Sequence, residues 1–226
     1  MPGTFTLILE TSSPHASLAI AGADGSLIGR EFSSARSHHA RLFGPLAELL
    51  ETLPAAGLGR VLVGSGPGSY SGTRVGIAAA QGVAIANACE AVALPSLLAL
   101  PTAAASVACL AIGDARRGGF WLARVAARRM MAEPELTDGA GLIAAVAAAV
   151  TQGIPVIAIE EPTRFPLPGE LAPQVRQEFP SATGLWLAWC LADAATRAAW
   201  ASAAPQPIYL KPPHVTAAKR PWLVPS

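Results

Sequence analysis

The sequence predicts a two-lobed α/β protein in which one order of elements occurs twice. Short apolar, strand-like runs alternate with helical patterns along the 226 residues. Three strands, a helix and a strand occur in the first half and again in the second. A proline-marked joint, Pro95 to Pro101, separates the two halves. The chain is 52% hydrophobic and 14% charged, so a sizeable core can be built from it. The expected lobes are residues 1–100 and 101–226.

Thr4 to Leu9, Ala16 to Ala21 and Ser26 to Phe32 read as three strands. Gly22-Ala-Asp-Gly25 supplies the hairpin turn between the last two. From Arg36 to Leu53 the pattern turns helical, with Leu42, Leu46, Leu49, Leu50 and Leu53 on one stripe. Pro45 is expected to bend that helix or to sit near its first turns. Val61 to Val63 is a strand, residues 72–87 form a helix, and Ala91 to Leu94 is another strand. In the second half Val107 to Ile112, Phe120 to Val125 and Arg129 to Leu136 read as strands. Leu142 to Val150 follows as a helix and Ile154 to Ile159 as a buried strand. Pro162 to Pro173 is expected to be irregular. A helix carrying Trp186, Trp189 and Trp200 follows, its tryptophans packed inward, and then a Pro-rich tail, Pro205 to Ser226.

The stretch Gly64 to Gly76 holds the most chemistry. It writes a strand end, a glycine-rich turn and a helix start back to back. Gly66 and Gly68 allow backbone angles closed to other residues, and Pro67 stiffens the turn. Ser69, Ser71 and Thr73 are available to cap the helix. Free backbone N–H groups at a helix start favour an anion or a partner's polar group. Gly72 is followed by Thr73-Arg74 and not by Lys, so this is not a Walker A loop. The dinucleotide pattern also fails, because no Gly stands at 71. A plain strand-to-helix turn without a ligand stays open.

Gly72, Gly76, Ala80 and Ala84 recur every four residues and make a small-residue ridge. It faces either a partner's helix or this chain's own sheet. With a formal net charge of +1 and no Lys/Arg run, a direct grip on nucleic acid is disfavoured. Cys89, Cys109 and Cys190 form no close pair, so reduced thiols in a cytoplasmic protein are expected. No signal peptide is read at the N-terminus, and the apolar runs are too short to span a bilayer. The histidines are His15, His38, His39 and His214. Adjacent His38 and His39 cannot share one ion from one helix face, so no metal site is expected. Ser12 and Ser13 lack a visible His–acid pairing.

Four stretches resemble one family, TsaB (also called YeaZ): Leu7-Ile-Leu-Glu-Thr-Ser-Ser13; Gly66-Pro-Gly-Ser-Tyr-Ser-Gly-Thr-Arg-Val-Gly-Ile-Ala78 with Gln81-Gly82; Asp114-Ala-Arg116; and Pro207-Ile-Tyr-Leu210. The region from Ser37-His38 to Pro45 resembles the family's first helix. The resemblance implies a duplicated ASKHA fold, the actin-like and hexokinase-like architecture. It implies a role in making N6-threonylcarbamoyladenosine in tRNAs that read ANN codons, as the non-catalytic partner of the TsaD transferase. A TsaE-like ATPase joins the pair, and tRNA is reached through the complex. No tightly bound cofactor is expected; ATP or ADP would belong to the complex. The first two helices would dock the equivalent pair of TsaD, which puts Leu42, Leu46, Leu49, Gly72, Gly76, Ala80 and Ala84 at the interface. The same surface would self-associate when the partner is absent. In that fold Glu10, Thr11 and Ser12 match the first phosphate loop, and Asp114 retains part of the second, as a degenerate nucleotide site. Two departures stand out: Glu10 replaces the Asp of many members, and Gly118-Gly119 stands where the family usually has Glu. The alternative is an autonomous kinase or acyl transferase using Glu10 and Asp114.

Overall fold

A computed structural model describes residues 4–33, 38–53, 57–105 and 108–210. Arg36, Ser37, His214 and most of the Pro-rich tail lie outside the described residues. The first sheet contains β1 (Phe5–Glu10), β2 (His15–Ala21), β3 (Leu27–Ser33), β4 (Leu58–Gly64) and β5 (Glu90–Leu94), in the order β3-β2-β1-β4-β5. The hairpins pair antiparallel, whereas β1, β4 and β5 run parallel. The parallel crossovers carry α1 (His38–Glu51) and α2 (Tyr70–Ala86). Pro45 lies inside α1, well past its first turn.

After a 3-10 turn (Ser96–Ala99) and the short α3 (Pro101–Ala105), the second sheet repeats this plan. Its strands are β6 (Cys109–Asp114), β7 (Phe120–Ala126), β8 (Arg129–Met130), β9 (Glu135–Thr137), β10 (Val156–Ala158) and β11 (Val175–Gln177). The order β8-β7-β6-β10-β11 matches the first sheet strand for strand, with β9 also pairing β7. This is the duplicated α/β architecture of the ASKHA type. The helix α4 (Gly139–Thr151) occupies the place of α1.

Three expectations need correction. The strand expected over Arg129 to Leu136 is broken into β8 and β9, because Pro134 and the turn before it interrupt the ladder. The tryptophan helix is two helices, α5 (Ala182–Leu191) and α6 (Ala194–Ala201). Asp193 starts the second by accepting the Thr196 N–H at 2.7 Å. The irregular segment contains two 3-10 turns and ends in β11, too short for its periodicity to be read.

The core has three layers of side chains. Strand alternation sends Leu7, Leu9, Val61 and Val63 towards α1 and α2. Ile8, Leu62, Val92 and Leu94 point the other way, into a central core shared with Trp121, Val125, Leu185 and Trp189. A third cluster joins the second sheet to α4 through Ile112, Leu142 and Val146. Trp189 is buried; Trp186 and Trp200 pack at the edge of the central core. The helices α5 and α6 come from the second half of the chain yet pack on the first sheet, α5 on β1 and β2 and α6 on β5. The two sheets divide near residue 100, but the two lobes share this core.

Candidate functional site

The carboxyl end of β1 and the start of α2 form one unit. Buried in the sheet, β1 delivers Glu10, Thr11 and Ser12 to its end, and all three are sealed from solvent. Glu10 Oε1 accepts the Ser12 N–H at 2.7 Å. Neither Glu10 Oε2 nor Ser12 Oγ has a hydrogen-bond partner of good geometry. Burial pushes the Glu10 pKa up from its ordinary value, opposed by the nearby Ser12 and Ser96 hydroxyls and backbone N–H groups.

The glycine loop covers this end. Gly66 sits at φ +84°, and the Gly66–Pro67 peptide is cis. The Ser69 N–H donates to Ser12 O at 2.6 Å. A side chain on Gly68 would collide with that same Ser12 carbonyl, so only Gly lets the loop lie this close. Ser69 is the N-cap of α2, accepting the Gly72 N–H at 3.2 Å. Ser71 is exposed and Thr73 is buried in the first turn. The Thr11 hydroxyl donates to Gly72 O at 2.8 Å. Thus Thr11 and Ser12, next to Glu10, meet Gly68, Ser69 and Gly72, which joins two stretches that the sequence offered as separate sites. Gly68 and Ser69 therefore lie directly on the Ser12 carbonyl at the end of β1.

The fourth motif also arrives here. The Ile208 N–H donates to Ser65 O at 2.9 Å, and Gln81 Nε2 donates to Pro205 O at 3.3 Å. The segment 205–210 therefore straps the glycine loop and α2 from outside. Nothing local in the sequence announces this meeting.

Asp114 lies apart, at the end of β6. It accepts the Arg116 N–H at 2.6 Å, and its carboxylate faces Arg116 at 3.3 Å and Arg164 at 3.6 Å. Among the described residues Glu10 and Asp114 share no hydrogen bond or ion pair. Sequence reasoning missed Glu160. The β10–β6 register pairs Ala158 with Ile112, which brings Glu160 beside Asp114. Burial, with a smaller push from Asp114, raises the Glu160 pKa. Among the described residues no cluster of three or more His, Cys, Asp or Glu could hold a metal ion. No described helix is long and apolar enough to cross a membrane.

The expected interface residues need the largest correction. Leu42, Leu46, Leu49, Gly72, Gly76, Ala80 and Ala84 are all buried. The small-residue ridge faces this chain's own sheet, and a side chain on Gly76 would strike Thr11 Oγ1. What α1 and α2 present outward is a different set. Phe43 is 55% exposed, and with Val75, Ala78, Gly82 and Val83 it lines an open, mainly apolar groove of about 470 Å³. Of the expected residues, only Leu46 reaches it, from below. The signal was present as a second stripe on α2, masked by the more regular ridge of glycines and alanines.

Residues 32–141 match the family model TsaD, described as tRNA N6-adenosine threonylcarbamoyltransferase. No curated protein sequence matches the chain. Among solved structures, the fold is similar to an uncharacterised Pseudomonas aeruginosa protein described as similar to peptidase YeaZ. The identity is 21% and the TM-score 0.69, over 92% of this chain and 100% of that one. It is also similar to YeaZ from Pseudomonas aeruginosa, again at 21% identity and the same coverage, with a TM-score of 0.67. At this identity the likeness is one of fold.

Proposed function

We infer that this chain belongs to the TsaB (YeaZ) family and serves threonylcarbamoyladenosine synthesis in tRNA as a non-catalytic scaffolding subunit. The match over residues 32–141 and the likeness of fold to YeaZ support the family and the pathway. One observation carries the scaffolding role. The acidic end of β1 is sealed beneath the chain's own glycine loop, while the outer face of α1 and α2 offers an open apolar groove. Glu10 and Ser12 are fully buried and the glycine loop lies directly on Ser12, so no catalytic step is assigned to them.

The groove suits a helix. Its walls are two helices, its floor is apolar, and Ala78 and Gly82 permit close backbone approach. The family resemblance supplies the occupant: the equivalent helix pair of a TsaD-like catalytic subunit. A second copy of this chain would take the same face when that subunit is missing. A TsaE-like ATPase completes the assembly, which works in the cytoplasm. The weak formal charge of the chain fits contact with tRNA through the complex.

Reconstitution tests this reading. The cognate TsaD-like and TsaE-like subunits, this chain, tRNA and the threonylcarbamoyl donor are combined, and each component is omitted in turn. Modified tRNA is expected only from the complete mixture, and the isolated chain is expected to show no ATP turnover. Steady turnover by this chain alone, abolished by Glu10→Gln, would favour the autonomous kinase or acyl transferase.

A further inference from the structure

The chain has two tyrosines, and they stand together on the surface. Tyr70 is 59% exposed and Tyr209 53%. Their ring centroids lie 6.4 Å apart. Arg74, one turn beyond Tyr70, lies 5.0 Å over its ring and donates to its hydroxyl at 2.7 Å. Among the described residues, no carboxylate is within ion-pair distance of Arg74. Single exposed aromatics are ordinary. Two brought together from distant parts of the chain, with a guanidinium stacked on one, are a built feature. The bonds from Ile208 to Ser65 and from Gln81 to Pro205 hold Tyr209 in place.

This cluster continues the groove. Residues 70, 74, 78 and 82 recur every four positions and are all exposed, so they share one outward face of α2. Ala78 and Gly82 line the groove; Tyr70 and Arg74 extend the same face towards the helix start.

We propose that Tyr70, Arg74 and Tyr209 anchor one end of the docking face, and that their occupant is a helix of the TsaD-like subunit carrying a carboxylate opposite Arg74. The proposal rests on reading the α1–α2 groove as the docking site. Tyr and Arg are the residue types that concentrate binding energy at interfaces. Their rings are stiff, so little conformational freedom is lost on contact. A guanidinium with no carboxylate partner among the described residues, beside an apolar groove, is complementary to a carboxylate, which it can bind through two parallel hydrogen bonds. A stacking platform for unpaired RNA bases would use the same rings, but it also needs a track of cations for the phosphates. The formal net charge of +1 and the lack of a Lys/Arg run disfavour that use. The C-terminal strap, through Tyr209, thereby becomes part of the interface.

The test uses the full chain and its purified TsaD-like subunit. Tyr209→Ala, Arg74→Glu and Phe43→Ala are each measured for melting temperature and for affinity. Each is expected to melt like the parent and to bind about tenfold or more weakly. Arg74→Lys is expected to retain part of the affinity lost in Arg74→Glu. Should Tyr209→Ala lower the melting temperature, Arg74→Glu decides, since among the described residues its side chain bonds and stacks only with exposed Tyr70. If only Phe43→Ala weakens binding, this proposal is wrong and the groove reading stands. If the parent chain does not bind the subunit at all, both fall. If Tyr209→Ala leaves subunit affinity intact but weakens tRNA binding by the assembled complex, the cluster is an RNA contact and the proposal is overturned.

Discussion

Glu10 is a carboxyl group with no solvent exposure and one oxygen without a well-formed partner. Burial raises its pKa above the ordinary carboxyl value, so the folded chain holds this proton more tightly than the unfolded chain. The stability that follows is complete below the unfolded pKa and is lost as pH rises through the raised folded value. The loss has a slope of at most about 1.4 kcal/mol per pH unit. Glu10→Gln keeps an acceptor for the Ser12 N–H and cannot ionise. The variant is therefore expected to match the parent in urea unfolding near pH 4 and to exceed it near pH 8. The Glu160 shift runs in the same direction but is common to both proteins and cancels in the comparison. Equal stability at both pH values would mean that water reaches the Glu10 carboxylate in the folded chain.

At the scale of the element, α2 has two faces built from small residues for opposite reasons. Gly76 lies against β1, where an added methyl group would strike the Thr11 hydroxyl. Gly82 faces outward, with nothing within 4 Å of the position a methyl group would take. Replacing Gly by Ala in a helix gains up to about 1 kcal/mol of propensity, whereas overpacking costs about 1–3 kcal/mol. Gly76→Ala is thus expected to destabilise the isolated chain, and Gly82→Ala to stabilise it by several tenths of a kcal/mol or more. Thermal unfolding of the pair reads the sign directly. A stabilised Gly76→Ala would show that α2 can move off the sheet at no cost.

At the scale of the whole molecule, the first sheet is completed by the far end of the chain. Ile8, Leu62, Val92 and Leu94 share a core with Leu185 and Trp189, and Trp189 lies beneath Arg60 of β4 at 4.6 Å. Further bonds tie the elements across the chain. Arg128 donates to the carbonyls of Leu98 and Gly184, and the Ala182 N–H donates to Ser17 Oγ. A fragment of residues 1–100 would expose the inner face of its sheet, an unsupported apolar surface. It is expected to aggregate or to lack a cooperative thermal transition, and adding residues 101–210 in the same chain should restore one. A fragment that folds cooperatively by itself would assign α5 and α6 to a separable layer.

The repeated strand and helix order, the hairpin at 22–25, the glycine turn and the start of α2 are legible in the sequence alone. These are written in local periodicity and in residues whose backbone preferences act within a few positions. The sequence also placed a strand over Thr4 to Leu9, directly before Glu10, and the structure has β1 over Phe5–Glu10. Which way the helices face is set by the packing of the folded chain. The ridge of Gly72, Gly76, Ala80 and Ala84 has the spacing of an interface, but spacing does not distinguish a partner's helix from the chain's own sheet. Burial does, and it moved the docking candidate to Phe43, Val75, Ala78 and Gly82. Likewise Glu160 reaches Asp114 through strand register, and Tyr209 reaches Tyr70 through a strap anchored on Ser65. Contacts of this kind join residues separated by tens or hundreds of positions. Their energy depends on where the whole chain has closed, and no local pattern carries that information.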